Sequence, residues 1–347
     1  MATGPTLKDV ADRAGVSLAT ASRALTPDQP ISAATRDRVL AAVDALGYRA
    51  RRARRSTDEV SRVVVLVPSL RHMAAAEVLT GVEAASADAG LSCSFVATGS
   101  DPVRELTAVE RLAAGPAVAA VIAVGGTRPT SQWRESMTRS IRTLRSHGTR
   151  VVFCGRSLPD EDLGEVAVLD YENREGSLAA VSVLLSKGHR RIGLVRGPAG
   201  FSTSEERSQG YADALAGFDV ELDPTLVSTG ARSGVDAARR CTELLTQHPD
   251  LTAVFADSDT QAFGVLRAAQ LLGRRVPEDL SVIGFDDHED LAPVSSPPLT
   301  TVHSPFVELG RRATRAALGT DPELEPGSRL TLATHIVMRA SVAPVAR

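Results

Sequence analysis

Arg23 and Ala19 stand four residues apart in the segment LATASRAL, residues 18–25, so on a helix they share one face. An arginine on an open helical face can donate two hydrogen bonds to O6 and N7 of a guanine in the DNA major groove. Leu18 and Ala19, short apolar residues at the start of the same helix, suit base edges or thymine methyls. The hydroxyls of Thr6, Ser17, Thr20 and Ser22 suit phosphate oxygens. An outward arginine on a short amphipathic helix is more often an ordinary surface residue, so the surrounding elements must decide.

Those elements read as three short helices. Leu7, Val10, Ala11 and Ala14 recur at helical spacing and stop at Gly15, which can take a left-handed backbone and turn the chain. Ser17 is a natural N-cap for the second helix, in which the small Ala21 and Ala24 allow a close crossing. A third helix starts at Ser32, runs through Val39, Ala42, Val43 and Leu46, and ends at Gly47. The pattern predicts an all-α helix-turn-helix headpiece over residues 1–49. Charge agrees. Residues 1–55 hold ten basic and five acidic side chains, a net +5, and since the whole chain is at −3 the remainder carries −8. A basic module on an acidic body fits a nucleic-acid partner.

Residues 50–60 form an arginine-rich linker with no hydrophobic face, which by composition reads as solvated chain. From Ser61 onward short apolar runs (VVVLVP, CSFVAT, VAAVIAV, RVVFC, RIGLVRG, TAVFA, SVIGF) alternate with helical stretches such as 73–89, 101–114 and 135–147. Buried parallel strands with crossover helices read this way, so the body, residues 61–347, is predicted to be α/β and doubly wound. Its length suggests two lobes.

The runs TLKDVADRAGVSLATASRAL and ISAATRDRVLAAVDALGY closely resemble the headpiece of the LacI/GalR (lactose repressor) family of bacterial transcription regulators. LLSKGHRRIGLVRGP, ERSQGYADAL, TAVFADSDTQAFGVLRAAQLLGRRVPEDLSVIGFDD and PPLTTVHSPFVELGRRA extend the resemblance through the body, to the effector domain shared with periplasmic sugar-binding proteins. The resemblance implies that Leu18, Ala19 and Arg23 read bases, with Ser17, Thr20 and Ser22 as phosphate or positioning contacts. It implies a hinge helix after the headpiece, typically with a Pro-Asn start and a leucine that wedges into the minor groove. Here Ala50 and Arg51 stand at the Pro-Asn positions and Thr57 at the leucine, which leaves Arg51, Arg52, Arg54 and Arg55 to hold phosphates or a narrow minor groove.

For the body the resemblance implies two Rossmann-like lobes joined by three crossovers, with a small-molecule effector between them. Lobe one would take residues 61–164 and a return segment near 304–320; lobe two would take 165–303 and a C-terminal strand near 329–340. The candidate effector residues lie at strand ends: Ser69, Arg207, Ser258, Asp259, Asp286, Ser304 and Phe306. Arginine and carboxylates can hold hydroxyls or an anionic group, and an aromatic can cover an apolar ring face. Each alone has a plainer reading, an Asp at a strand end as a helix cap or Phe306 as core. The chain departs from the family pattern in LRHMAAAEV after the first strand, with no aromatic there, in Gly155 for an aspartate and in Ser258 for an asparagine. Trp133 is expected to serve in surface or lobe packing.

Other chemistry is thinly represented. Cys93, Cys154 and Cys241 are widely spaced, with no disulfide framework or zinc pattern, and the seven histidines include no HExxH. His189 in GHRRIG reads as a structural turn residue. No Walker A run, GxSxG elbow or dinucleotide fingerprint occurs, so no catalytic residue, metal or cofactor is expected. No signal region or run of ~20 apolar residues is present, and a cytoplasmic location is expected. A sugar receptor would have no use for the basic headpiece, and an α/β enzyme would need a reactive motif. The sequence therefore predicts a ligand-responsive repressor: a homodimer on a palindromic operator in double-stranded DNA, controlled by a sugar or a related small molecule.

Overall fold

A computed structural model describes residues 7–24, 31–46, 62–125, 130–156, 158, 164, 166–231 and 233–345. The chain divides into two compact units, Met1–Val60 and Ser61–Arg347.

The first unit holds α1 (Leu7–Ala14), α2 (Leu18–Ala24) and α3 (Ala33–Leu46). Between α1 and α2, Gly15 takes φ +64, and the Val16 amide donates back to the Ala11 carbonyl at 3.0 Å, so the turn is closed by α1 itself. Val10, Ala14, Ala24, Val39 and Ala42 are buried together, with Val16, Ile31, Val43 and Leu46 packed against them. Ala21 is also buried, as a close crossing of short helices demands. Ser32 precedes α3 and accepts from the Thr35 amide at 3.3 Å.

The second unit contains two parallel sheets. In the first, the order is β11-β5-β4-β3-β1-β2, with β1 Arg62–Val67, β2 Ser92–Ala97, β3 Ala120–Val124, β4 Arg150–Cys154, β5 Ala167–Tyr171 and β11 Arg329–Leu332. Alternation along β1 shows how the core is split: Val63, Val65 and Val67 enter one buried cluster, and Val64 and Leu66 another on the opposite face. On the first face lie α4 (Met73–Asp88) and α11 (Phe306–Ala317); on the second lie α5 (Pro102–Ala114) and α6 (Ser131–Ser146). Trp133 is buried on that second face, tilted against Phe153 at 6.1 Å, which is lobe packing as expected.

The other sheet is ordered β7-β6-β8-β9, with β6 Ile192–Val195, β7 Val227–Ser228, β8 Ala253–Ala256 and β9 Ser281–Ile283. Here α7 (Asn173–Ser186) and α8 (Ser202–Gly217) cover one face, and α9 (Gly234–Gln247) and α10 (Asp259–Leu271) cover the other. A short antiparallel pair, β10 (Thr301–His303) with β12 (His335–Val337), joins this lobe through bridges from Ile283 to Thr300 and from Asp286 to His303.

The lobe boundaries differ from the sequence-based expectation. Residues 167–171 belong to lobe one, because β5 pairs with β4, and β11 returns to the same sheet beside β5 instead of lying in lobe two. Every residue of β5 is buried, so it needs a neighbour on both edges; half-exposed β11 supplies the outer one. Only β12 carries the C-terminal strand region into lobe two. The chain thus passes between sheets three times, at 171–173, 303–306 and 332–335.

Both lobes use a glycine where helices cross. A Cβ at Gly310 of α11 would overlap the Val78 carbonyl oxygen and sit 3.0 Å from the Val82 nitrogen of α4; at Gly210 of α8 it would overlap the Arg174 carbonyl oxygen of α7. Gly310→Ala should therefore push α11 off α4 at a cost of about 1–3 kcal/mol. In a calorimetric melt this should lower the melting temperature by roughly 2–4 °C per kcal/mol; an unchanged melt would show that the helices slide apart freely.

Candidate functional site

On the headpiece, Ser17 caps α2: the Thr20 amide donates to its Oγ at 3.1 Å and the two hydroxyls lie 2.8 Å apart. That fixes the helix start and leaves Leu18, 52% exposed, and Ala19 uncovered. Arg23 is exposed, with Nε 3.4 Å from the Ala19 carbonyl, so its stem follows the face that Ala19 occupies. Ser22 lies on α2. Thr6, Arg51, Arg52, Arg54, Arg55 and Thr57 lie outside the described residues.

In the body a second group of side chains converges where the chain first crosses between lobes. Arg207, 5% exposed on α8, donates from Nε to Asn173 Oδ1 at 2.9 Å and from Nη2 to the Tyr171 hydroxyl at 2.8 Å. Its Nη1 donates to the Asp257 carbonyl and lies 3.2 Å from Asp286 Oδ1. The guanidinium rests on the Phe285 ring, 3.7 Å from its centroid, and Tyr171 meets Phe306 edge-on at 5.2 Å. Tyr171, Asn173, Asp257 and Phe285 were not among the sequence-based candidates. The one visible signal was position, since Asp257 and Phe285 end or follow apolar runs as Ser258 and Asp286 do.

Each carboxylate here has its own task. Asp257 accepts from Ser204 Oγ at 2.5 Å and from the Gly197 amide at 2.8 Å, and burial raises its pKa against the pull of these bonds and of Arg207. Asp259 is buried at the start of α10 and accepts from Thr301 Oγ1 at 2.6 Å and the His288 amide at 2.8 Å, so it braces two loops; burial still lifts it to about 7. Asp286 stands in a backbone conformation with φ 118, followed by Asp287 at φ 59. Burial raises Asp286 to about 8, opposed by Arg207 and reinforced by Asp259 and Asp257. Its Oδ1 approaches Arg207 too obliquely for a hydrogen bond and has no donor among the described residues.

The other candidates surround this centre. Ser304 is 1% exposed, its Oγ has no partner among the described residues, and its amide donates to the Asp286 carbonyl at 3.2 Å. Phe306 begins α11, buried against Tyr171. Ser258 caps α10 through the Gln261 amide at 3.2 Å, the plainer role of a polar residue at a strand end. Ser69 accepts from the Arg71 amide at 3.1 Å and so shapes the turn after β1.

Lobe one contributes two residues that the sequence reading did not single out. Solvent reaches His72, yet the protein around it and then the Arg207 charge lower its pKa. Glu77 Oε1 lies 3.3 Å from His288 Nε2 of lobe two. His288 Nδ1 accepts from the Asp290 amide at 3.3 Å, which leaves Nε2 as the ring nitrogen that faces Glu77. Burial, and then Asp286, raise Glu77 to about 7. Thr260 of α10 also reaches Met73 Sδ at 3.8 Å. Lobe contacts and the Arg207 group therefore share one cleft, at the C-terminal ends of both sheets, where open α/β sheets bind ligands. The thiols are remote from such chemistry: burial raises Cys241 to about 12 and pushes Cys154 up as well. His189 bridges Thr252 Oγ1 and the Ala343 carbonyl at 2.9 Å each, a structural tie.

Comparison with known proteins agrees with both halves of this description. Residues 6–51 match the model of bacterial regulatory proteins of the lacI family, and residues 181–342 that of a periplasmic binding protein-like domain. The HTH-type transcriptional regulator CelR of Thermobifida fusca is 36% identical over 354 residues, covering 97% of this chain and 98% of its own. The HTH-type transcriptional repressor CytR of Escherichia coli K12 is 32% identical over 313 residues, covering 90% and 88%. A solved structure of a CelR-cellobiose complex superposes with a TM-score of 0.71 at 32% identity, over 97% of this chain and 99% of that one. No helix among the described residues is long and apolar enough to cross a membrane. With a three-helix headpiece, a two-lobed body and these relatives along nearly its whole length, the chain belongs to the lacI family of bacterial regulatory proteins.

Proposed function

We propose that this chain is a repressor that binds a palindromic operator in double-stranded DNA as a homodimer, and that a sugar held between its lobes at Arg207 and Asp286 sets operator occupancy. The observation that carries the DNA half is the exposed face of α2, where capping holds Leu18, Ala19 and Arg23 clear of the headpiece core. One helix of seven residues reaches few base pairs, so two copies related by a two-fold axis gain affinity through linked binding. The effector half rests on the Arg207 and Asp286 pair beside contacts that cross between lobes. Charged and hydroxyl-bearing side chains beside aromatic rings suit the hydroxyls of a sugar, and the similar CelR structure is a cellobiose complex. Ser69, Ser304 and Phe306 complete the proposed lining, Ser258 and Asp259 support it from α10, and Arg51, Arg52, Arg54 and Arg55 are proposed phosphate contacts. In this reading the chain acts as a cytoplasmic regulator and not as an enzyme.

Arg23→Ala should cost about 1–3 kcal/mol on the preferred operator and relax selectivity at one position per half-site. Binding titrations on operator variants check this, and uniform weakening on every sequence would assign Arg23 to phosphates instead.

Asp286→Asn keeps a residue that tolerates positive φ and removes the titratable carboxyl. It should abolish the sugar response and leave sugar-free operator affinity near wild type, because a ligand shifts an equilibrium only through its differential affinity for the two states. Loss of both functions together would make Asp286 structural.

The same variant tests the linkage to pH. Asp286 is raised from 3.8 to about 8 in the fold, so between those values the native chain keeps a proton that the unfolded chain has released. Stability of the sugar-free protein should therefore fall as pH rises through that window and level off above it. Melts between pH 5 and 9 should show a shallower fall for Asp286→Asn, and an identical fall would assign the dependence to other groups.

A further inference from the structure

Arg196 follows β6, and its amide continues that strand's pairing by donating to the Ser228 carbonyl at 2.9 Å. Ile192 and Leu194 face the buried cluster that holds Tyr211 and Leu215 of α8, whereas Val195 faces the opposite cluster. Alternation therefore places Arg196 on the face of α8, the helix that presents Ser204 and Arg207. Its charge reaches Asp257, whose carboxylate binds Ser204 and the amide of Gly197. Yet Nε and Nη2 of Arg196 are buried with no acceptor among the described residues.

An unmatched acceptor lies in the same neighbourhood. A Cβ at Gly197 would sit 3.5 Å from Ser204 Oγ, 3.6 Å from Asp257 Oδ2 and 3.6 Å from Gln261 Nε2, so Gln261 of α10 closes on the residue next to Arg196. Gln261 donates from Nε2 to the Ala231 carbonyl at 3.3 Å, while its Oε1 is buried with no partner among the described residues. Adjacent Thr260 touches Met73 of lobe one, which puts this turn of α10 at the cleft. Buried donors and acceptors left unmatched cost free energy that a ligand's hydrogen bonds recover.

We propose that Arg196 and Gln261 extend the effector site along lobe two, Arg196 donating to a ring or hydroxyl oxygen of the ligand and Gln261 Oε1 accepting from a hydroxyl. This rests on the reading of the cleft as a sugar site and names its chemistry more narrowly. Asp257 already faces both arginines, and Asp286 faces Arg207. What Arg196 lacks is a hydrogen-bond acceptor, which the oxygens of a neutral polyhydroxylated sugar supply, whereas a phosphate would meet two acidic side chains.

The test uses the full chain as wild type and as Arg196→Met, which keeps the length of the stem and removes the donors. Melting temperatures are read without sugar and with cellobiose, glucose or glucose 6-phosphate, affinities by calorimetry, and operator binding without sugar. The sugar-free Met variant should melt at or above the wild-type temperature with operator affinity unchanged, and should bind the sugar that wild type takes at least tenfold more weakly. A lower sugar-free melting temperature makes Arg196 structural and overturns the assignment, as does undiminished sugar affinity. Tighter binding of glucose 6-phosphate than of glucose overturns the neutral class while leaving the sugar site in place. No response of wild type to any of these compounds removes the sugar reading itself, and this extension with it.

Discussion

An arginine keeps its proton at every pH a cell meets, so a guanidinium taken out of water must be matched on all sides or the fold cannot hold it. Arg207 meets that condition by recruiting a residue from nearly every segment that forms the cleft: Tyr171 at the end of β5, Asn173 at the start of α7, the Asp257 carbonyl after β8, and Asp286 and Phe285 after β9. The relation runs both ways. Without the cation, Asp286 would lose the charge that most opposes its burial and Asp257 a main part of what opposes its own, and both are already raised, as is nearby Asp259. One ion thus fixes the ends of three strands of different origin, and the proposed ligand site is the surface that this arrangement leaves polar.

That arrangement coincides with the crossovers of the chain. The first crossover runs directly from Tyr171 to Asn173, both bonded to Arg207, and the second runs through Ser304 to Phe306, which packs on Tyr171. A ligand that altered how Arg207 and Asp286 are held would therefore act on the segments that join the lobes. The Glu77 and His288 contact lies at the same place, with Asp286 contributing to the raised pKa of Glu77. In the proposed function, lobe position and ligand chemistry would be coupled by proximity of charge, without a long pathway of intermediates.

Local pattern was enough for the headpiece. Its caps at Ser17 and Ser32 and its turn at Gly15 act within a few residues, and the structure places them as the spacing implies. The parallel strands with uninterrupted apolar runs were also legible. β5 was less so, because AVLDY is short and ends in a polar residue, and nothing in those five letters says that Arg329–Leu332 will pair with them. That is why the lobe boundary fell at the wrong side of 167–171. In the cleft, Arg207 and Asp286 were named, but the residues that hold them were not. Tyr171 and Asn173 lie far in sequence from Arg207 and Asp257, and their convergence depends on crossovers that no local period encodes. Ser258 shows the opposite effect: its caplike position after a strand carried the plainer meaning all along.

The return of β11 to the first sheet bears on how such a chain is made. Until the ribosome has released residues beyond Leu332, β5 has a partner on one edge only, and the sheet of lobe one offers an open row of amides and carbonyls. Lobe two, threaded between the halves of lobe one, must assemble while that edge is still bare. Nascent or truncated chains are therefore the forms most exposed to edge-to-edge aggregation and to the quality-control machinery. Loss of the chain from Arg329 onward would accordingly harm the lobe built first, although every residue of its central strands remains.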